Sequence, residues 1–399
     1  MTGFDPTLAD IAEMAISWRR DFHAHPEVGF KEVRTAARIA ELVRSFGVDE
    51  IETGIAGTGV AARIRGRFQG DGPRIGLRAD MDALPIAENG NAPYRSTMIG
   101  QMHACGHDGH MAMLLGATRY LCETRDFAGE IVVIFQPAEE SGHCGAREMI
   151  RAGVLERFPV DEIYALHTLP GRPVGEISLR PGPVMSAFDS FDIEIEGRGA
   201  HASKPQQSRD PIVTGAHLIT ALQTLVSRSV DPLEMAVVSV CELGAGTVNN
   251  AIPETARLSG SVRTYKKVVQ DVVEERMRDI ARGFEISFGV HIDVRYSRVQ
   301  PPTVNAAAQV QKATRALEER GITVNLALPP SSGAEDFAFF LQERPGAFLR
   351  IGNGDSAALH NPAFDFNDRA LAAGIGALVA IAEASGDAGP SAVRSADPR

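Results

Sequence analysis

Apolar positions along the chain recur with two different periods. Over 8–24 and 31–46 they return every three to four residues, the helical period. In the second run Ala36, Ile39, Ala40, Leu42 and Val43 form one stripe, and Gly47 follows as a stop signal. Short β-type runs then appear at 60–64, 74–77, 131–135, 162–166 and 176–179. Between the second and third lies a helical stretch, 107–122, with Met111, Leu114, Leu115 and Ala117 on its apolar side. Strands alternating with helices predict an α/β fold, a layered domain built on a mixed sheet.

The pattern changes after about residue 186. Strand-like 188–195, helical 211–228, strand-like 236–243 and 256–264, helical 267–286 and strand-like 291–296 follow in turn. The order β-α-β-β-α-β predicts a ferredoxin-like split unit of α+β type. Arg180-Pro-Gly-Pro183 precedes it and Gln300-Pro-Pro302 follows it. This is the organisation of a small domain, 186–299, inserted into a larger one made of 1–185 and 300–385. A helix at 306–320, a strand at 347–351 and a helix at 368–384 complete the larger domain. The tail, 386–399, is rich in Gly, Ser, Pro and Asp and is expected to be disordered.

Composition narrows the function classes. The 399 residues carry a formal net charge of −11, with 44% hydrophobic and 23% charged residues. That is a globular composition whose acidic balance argues against a nucleic-acid partner. No run reaches the roughly 18 apolar residues of a membrane span. Residues 1–10 carry neither a basic nor an apolar leader region, so a cytoplasmic location is expected. The cysteines, Cys105, Cys122, Cys144 and Cys241, are too few for a disulfide framework and are expected to be reduced thiols.

The chemistry concentrates at strand ends. Gly57-Thr-Gly59-Val-Ala-Ala62 matches a loose dinucleotide pattern, but a strand rather than a helix follows it, so the nucleotide reading fails. Asp80 and Asp82 follow one apolar strand, and Glu139 and Glu140 follow another. Two adjacent acids point different ways, so one can ligate a metal while its neighbour moves a proton. His103, Cys105, His107 and His110 lie within eight residues at the head of a helix, a thiol and three imidazoles suited to zinc-like metals. Their spacing is not that of a zinc finger, so further ligands must come from elsewhere. His167 and His360 each stand at or just past a strand. One edge of an open α/β sheet would collect all of these groups. The inserted domain adds a glycine-flanked histidine, His201, the turn Asn249-Asn-Ala-Ile-Pro253, and Arg263 at a strand end. No serine-hydrolase elbow, phosphate-binding loop or His-Glu-x-x-His helix is present.

Taken together, Arg20-Asp-Phe-His-Ala-His-Pro-Glu27, Arg78-Ala-Asp-Met-Asp82, His103-Ala-Cys-Gly-His-Asp108, Gln136-Pro-Ala-Glu-Glu140, Leu166-His167, Gly199-Ala-His201, Asn250-Ala-Ile-Pro253, Gly333-Ala-Glu-Asp336 and Leu359-His-Asn-Pro362 resemble a known family. It is that of the dinuclear-metal amidohydrolases of the aminoacylase, hippurate hydrolase and auxin-conjugate hydrolase type. The resemblance spans nearly the whole chain in order. It implies hydrolysis of the amide bond of N-acyl amino acids (hippurate, N-acetyl or indole-acyl) to a carboxylic acid and a free amino acid. It implies two divalent ions per subunit, Mn2+ or Zn2+ foremost and Ni2+ or Co2+ as alternatives. Their ligands would be Cys105, His107, Glu140, His167 and His360, with Cys105 where the broader family has a bridging Asp. Glu139 would be the general base, Asp82 the acid that orients a ligand, and His201 the histidine supplied by the inserted domain. Asn250, Arg263 and Gly333 would bind substrate. The inserted domain would serve as lid and as the interface of a homodimer or higher homo-oligomer. A dipeptidase or deaminase on the same site, and a non-catalytic metal-binding protein, are the competing readings.

Overall fold

The structure, a computed structural model, describes residues 6–68, 72–142 and 144–384. The 386–399 tail therefore lies outside the described residues. Contacts divide the chain into two units, one of residues 1–182, 304–329 and 339–399 and a second of residues 183–303 and 330–338. Among the described residues no helix is long and apolar enough to cross a membrane.

The first unit opens with helices α1 (Pro6–Ala24) and α2 (Val33–Ser45). In α2 the buried positions Thr35, Ile39, Ala40, Leu42 and Val43 trace the predicted stripe. Glu27 accepts the amide protons of Arg34 and Thr35 at 3.1 and 2.8 Å, satisfying the orphan donors of that helix start. Strands β1 (Glu50–Ile55), β2 (Gly59–Arg65) and β3 (Arg74–Asp80) lead through a long irregular segment to α3 (His107–Thr124). Then come β4 (Glu130–Gln136), β5 (Glu162–Leu169) and β6 (Ile177–Ser178). After the second unit the chain adds α4 (Ala307–Glu319), β7 (Val324–Asn325), β8 (Gly346–Gly352) and α5 (Leu371–Ala384).

These strands form one mixed eight-stranded sheet in the order β1-β2-β4-β3-β5-β8-β6-β7. The central four, β4-β3-β5-β8, run parallel, and β2 and β6 flank them antiparallel. Parallel strands are covered on both faces and so read as continuous apolar runs, as Ile131–Phe135 does. Their carboxyl ends share one edge, where a doubly covered sheet opens to ligands. Helix α3 is buried along nearly its whole length and packs on β3, β5, α1 and α5. Its approach to α5 depends on missing side chains: a Cβ on Gly374 would fall 1.9 Å from Met113 Sδ, and one on Gly116 2.5 Å from Ile375 Cδ1.

The second unit holds a four-stranded antiparallel sheet. From one edge to the other its strands are Ala236–Ala245, Thr255–Thr264, Ala187–Glu196 and His291–Gln300. Helices Pro211–Leu222 and Lys267–Phe288 contribute to its core with Leu218, Leu222, Val273 and Met277. The pairing order is that of a split β-α-β-β-α-β unit. Asp210 starts the first helix by accepting the amides of Ile212 and Val213, and Pro211 occupies its first position. The chain read as helical over 211–228 is α-helical only to Leu222 and then passes through a π turn, Leu225–Ser229. Residues 330–338, read from sequence with the larger domain, pack with this unit instead. Ser331 donates its N–H to the Val184 carbonyl at 2.8 Å, and the Ser186 hydroxyl bonds the Ser332 carbonyl at 2.7 Å.

Candidate metal centre

Seven of the residues singled out in sequence meet at the carboxyl edge of the central strands. Asp82 follows β3, Glu139 and Glu140 follow β4, His167 lies near the end of β5, and His360 lies beyond β8. Cys105 and His107 flank Gly106, which turns the chain into α3. Gly106 has φ +83°, and a Cβ there would meet Thr168 Cγ2 at 2.6 Å, so only glycine serves. The His360 N–H donates to the Ala104 carbonyl at 2.8 Å, which ties the two ligand-bearing loops together.

The histidine tautomers are fixed by the backbone. His107 Nδ1 donates to the Asp82 carbonyl at 2.8 Å and His167 Nδ1 to the Thr168 carbonyl at 2.8 Å. With Nδ1 committed to a carbonyl, each imidazole turns its Nε2 into the cluster, the arrangement that orients a histidine toward a metal. His107 Nε2 is buried with no hydrogen-bond partner. His167 Nε2 lies 3.4 Å from Cys105 Sγ, and His360 Nε2 lies 3.1 Å from Glu140 Oε1. Cys105, Glu140 and His360 offer ligand atoms within 4.8 Å of one another, and so do His107, Glu139 and Glu140. The two triads share Glu140.

The electrostatics call for a cation. Burial opposes charge on His107, yet Asp80, Asp82 and Glu140 carry its pKa up to about 10. Burial, then Glu140, Glu139 and Asp80, hold the Cys105 thiol well above its usual range. Such a thiol ionises only when a positive ion joins the donors. An orphaned imidazole nitrogen, a suppressed thiol and clustered carboxylates make a soft-and-hard donor set that fits divalent transition ions.

Other groups support the cluster without being available to it. The Asp82 carboxylate accepts the amide protons of Glu139 at 2.9 Å and Glu140 at 3.0 Å, so it holds the backbone of both acids. His110 Nδ1 donates to Asp80 at 2.6 Å while its Nε2 accepts from the Thr168 N–H at 2.9 Å. Both ring nitrogens are engaged, so His110 braces β3 against β5 rather than ligating. Asp80 also receives Arg78 at 2.8 Å. His103 is buried, belongs to none of the candidate metal clusters, and is pushed down to about 3, chiefly by burial. Backbone strain gathers nearby: Phe30, Ala138, Cys144 and His360 are non-glycine residues with φ of 60°, 56°, 55° and 64°.

Sequence reasoning missed a second layer. Arg19 Nε and His23 Nδ1 both donate to Asp108 Oδ2, at 2.8 and 2.7 Å, and all three side chains are buried. Arg19 also pairs with Asp365, and Tyr94 donates to that residue at 2.7 Å. The Arg20–Glu27 and His103–Asp108 motifs held His23 and Asp108, but Arg19, Tyr94 and Asp365 lie outside them, and nothing in the local pattern paired these residues.

The remaining predicted residues lie in the second unit. His201 and Asn250 are exposed on the paired strands Ala200–His201 and Ala251–Ile252 and their connection, with the Ala202 N–H on the Asn250 carbonyl at 3.0 Å. His201 Nδ1 accepts from the Ser203 N–H at 3.1 Å, so Nε2 bears the proton. The Arg263 guanidinium lies 4.2 Å over the Phe188 ring, and no carboxylate is recorded in contact with it among the described residues. Gly333 faces Met185, whose Cε would lie 3.0 Å from a Cβ added there.

Comparison with known proteins gives a consistent picture. The model of peptidase family M20/M25/M40 matches residues 76–384. The chain is 39% identical over 358 residues to an N-acetylcysteine deacetylase of Bacillus subtilis, covering 89% of this chain and 92% of that protein. It is 37% identical over 369 residues to a hippurate hydrolase of Campylobacter jejuni, covering 92% and 95%. A crystal structure described as a dinuclear metal-binding peptidase, also from Bacillus subtilis, aligns with TM-score 0.82 and 36% identity over 94% of this chain and 98% of that one.

Proposed function

We propose, for a chain that belongs to peptidase family M20/M25/M40, a division of roles within one reaction: metal-dependent hydrolysis of the amide bond of N-acyl amino acids to a carboxylic acid and a free amino acid. The observation that carries the assignment is the pair of adjacent acids whose amides are both held by Asp82. Glu140 then faces His360, while Glu139 is left to the proton.

Cys105, His107, Glu140, His167 and His360 would hold two divalent ions. Mn2+ or Zn2+ suit a thiolate, imidazole and carboxylate set, and Ni2+ or Co2+ fit the same chemistry. Such ions, when bound, polarise a carbonyl and lower the pKa of water toward neutrality. Glu139 takes the proton of the attacking water and passes it to the leaving nitrogen. His201 supplies a hydrogen bond from Nε2–H to the developing oxyanion, a role its Ser203-fixed tautomer supports. Arg263, half-buried over Phe188, takes the substrate carboxylate, and Asn250 and the Gly333 backbone are further substrate-binding groups.

We also assign to the second unit the roles of lid and homodimer interface. Its edge strand, Ala236–Ala245, supports the latter reading, since Val237 and Leu243 on it are 40% and 55% exposed.

Glu139→Gln with metal analysis tests the central assignment. Two ions per chain should remain, while kcat on N-acetyl and N-benzoyl amino acids falls by about 10²–10⁴, the usual contribution of a general base. Unchanged turnover removes Glu139 from that role.

A further inference from the structure

The loop that carries Glu139 is held by two buried carboxylates. Asp82 takes the amide protons of Glu139 and Glu140. The preceding amide, that of Ala138, donates to Glu32 Oε1 at 2.9 Å. Glu32 Oε2 accepts from the Thr58 hydroxyl at 2.7 Å. Three successive N–H groups thus end on carboxylate oxygens.

Glu32 stands at the N-cap position of α2, where an acid ordinarily caps its own helix, yet it makes no cap hydrogen bond. Glu27 caps instead. Glu32 is fully buried, and its carboxyl oxygens are engaged 26 and 106 residues away. Burying a carboxylate for packing alone is costly, and an apolar residue would serve that purpose better. The amide it holds is unusual. Ala138 has φ 56°, a left-handed conformation an alanine avoids unless its surroundings impose it. Its carbonyl is pinned as well, by the Gly145 N–H at 3.0 Å and the Ser141 hydroxyl at 3.1 Å. Relaxation of that torsion would swing the next residue, Glu139, out of line.

We propose that Glu32 is a positioning residue for proton transfer: through the Ala138 amide it holds the left-handed turn from which Glu139 projects. The proposal rests on Glu139 as the general base. Proton transfer needs heavy atoms within about 2.6–3.2 Å, so a small swing of Glu139 slows the reaction without weakening substrate binding.

The experiment compares kcat, KM and metal content in Glu32→Ala, Glu32→Gln and Thr58→Val, with Glu139→Gln alongside. Glu32→Ala should lower kcat by about 10–100-fold, as a misplacement of about 1 Å does, with KM within about threefold and two ions per chain retained. Glu32→Gln should recover most of the loss, because its amide oxygen still accepts from Ala138 and its NH2 can face a turned Thr58 hydroxyl. Thr58→Val, which frees only one oxygen of Glu32, should lower kcat by a few-fold. Wild-type kcat in Glu32→Ala, a loss expressed in KM or in metal content, or a Glu32→Gln no better than alanine would overturn the proposal. Should Glu32→Ala not fold, Thr58→Val decides: an unchanged kcat overturns it and a reduced kcat at constant KM supports it. Full activity in Glu139→Gln would instead remove the premise, an outcome separate from the behaviour of Glu32.

Discussion

Raising the pH should destabilise the first unit through one residue. His23 is fully buried, with Nδ1 on Asp108 at 2.7 Å and Nε2 3.4 Å from Glu88 Oε1. Burial opposes its charge, but the bonds to Asp108 and Glu88 prevail and raise its pKa from 6.5 to about 9. A folded-state pKa above the unfolded one means that the stabilisation is complete below about pH 6.5 and is lost as pH rises through about 9. A shift of this size corresponds to roughly 3 kcal/mol. Urea unfolding of the wild type and His23→Gln, at pH 6 and pH 10, measures it. Trp18 is the only tryptophan and lies on α1, its ring 5.6 Å from Phe46, so its fluorescence follows the first unit. Taking the difference between the two proteins removes the titrating groups that do not interact with His23. That difference should shrink by about 3 kcal/mol on going to pH 10. A difference that stays constant, or grows with pH, refutes the reasoning.

Other perturbations read the site directly. Asp82→Ala strands the amides of Glu139 and Glu140, each bond being worth about 1.5–3 kcal/mol, and should lower both the urea midpoint and kcat; wild-type values for both would exclude the clamp. Cys105→Ser exchanges a soft ligand for a hard one and should weaken metal retention against a competing chelator, whereas unchanged retention would remove Cys105 from the ligand set. Dialysis against a chelator should abolish hydrolysis and lower Tm, since ions that bind only the folded chain stabilise it, and adding Mn2+ or Zn2+ should restore both. Arg263→Met should raise KM for N-acyl amino acids far more than it lowers kcat; an unaltered KM would mean that the substrate carboxylate binds elsewhere.

The sequence made the carboxyl edge legible because each chemical residue follows an apolar run, and parallel strands end on one side. That reasoning collects Asp82, Glu139, Glu140, His167 and His360 from the sequence alone. The Gly59–Arg65 strand likewise justified setting aside the dinucleotide pattern. Strand β1, with three of its six residues exposed, carries no apolar run and went unseen. So did β7, two residues long. The supports of the site were hidden for a different reason. Glu32 reaches Ala138, and Arg19 reaches Asp108, across 106 and 89 residues. A buried acid and a surface acid look alike in sequence, and only the folded partner distinguishes them. His110 shows the reverse case, since its spacing marks it as a ligand while its two hydrogen bonds exclude it.

The left-handed residues around the centre bear on how this enzyme would respond to being made more robust. Ala138 and His360, at φ 56° and 64°, occupy torsions that glycine adopts freely. Replacing His360 by glycine would relieve its backbone and remove an imidazole beside Glu140. Ala138→Gly would relieve strain too, but it would let the Glu139 turn sample other torsions. A selection for thermal endurance alone would favour such changes and would erode turnover with each one accepted. The durable route lies far from this edge, in the inter-helix contacts of α3 and α5 and on the exposed faces, where rigidity and catalysis do not compete.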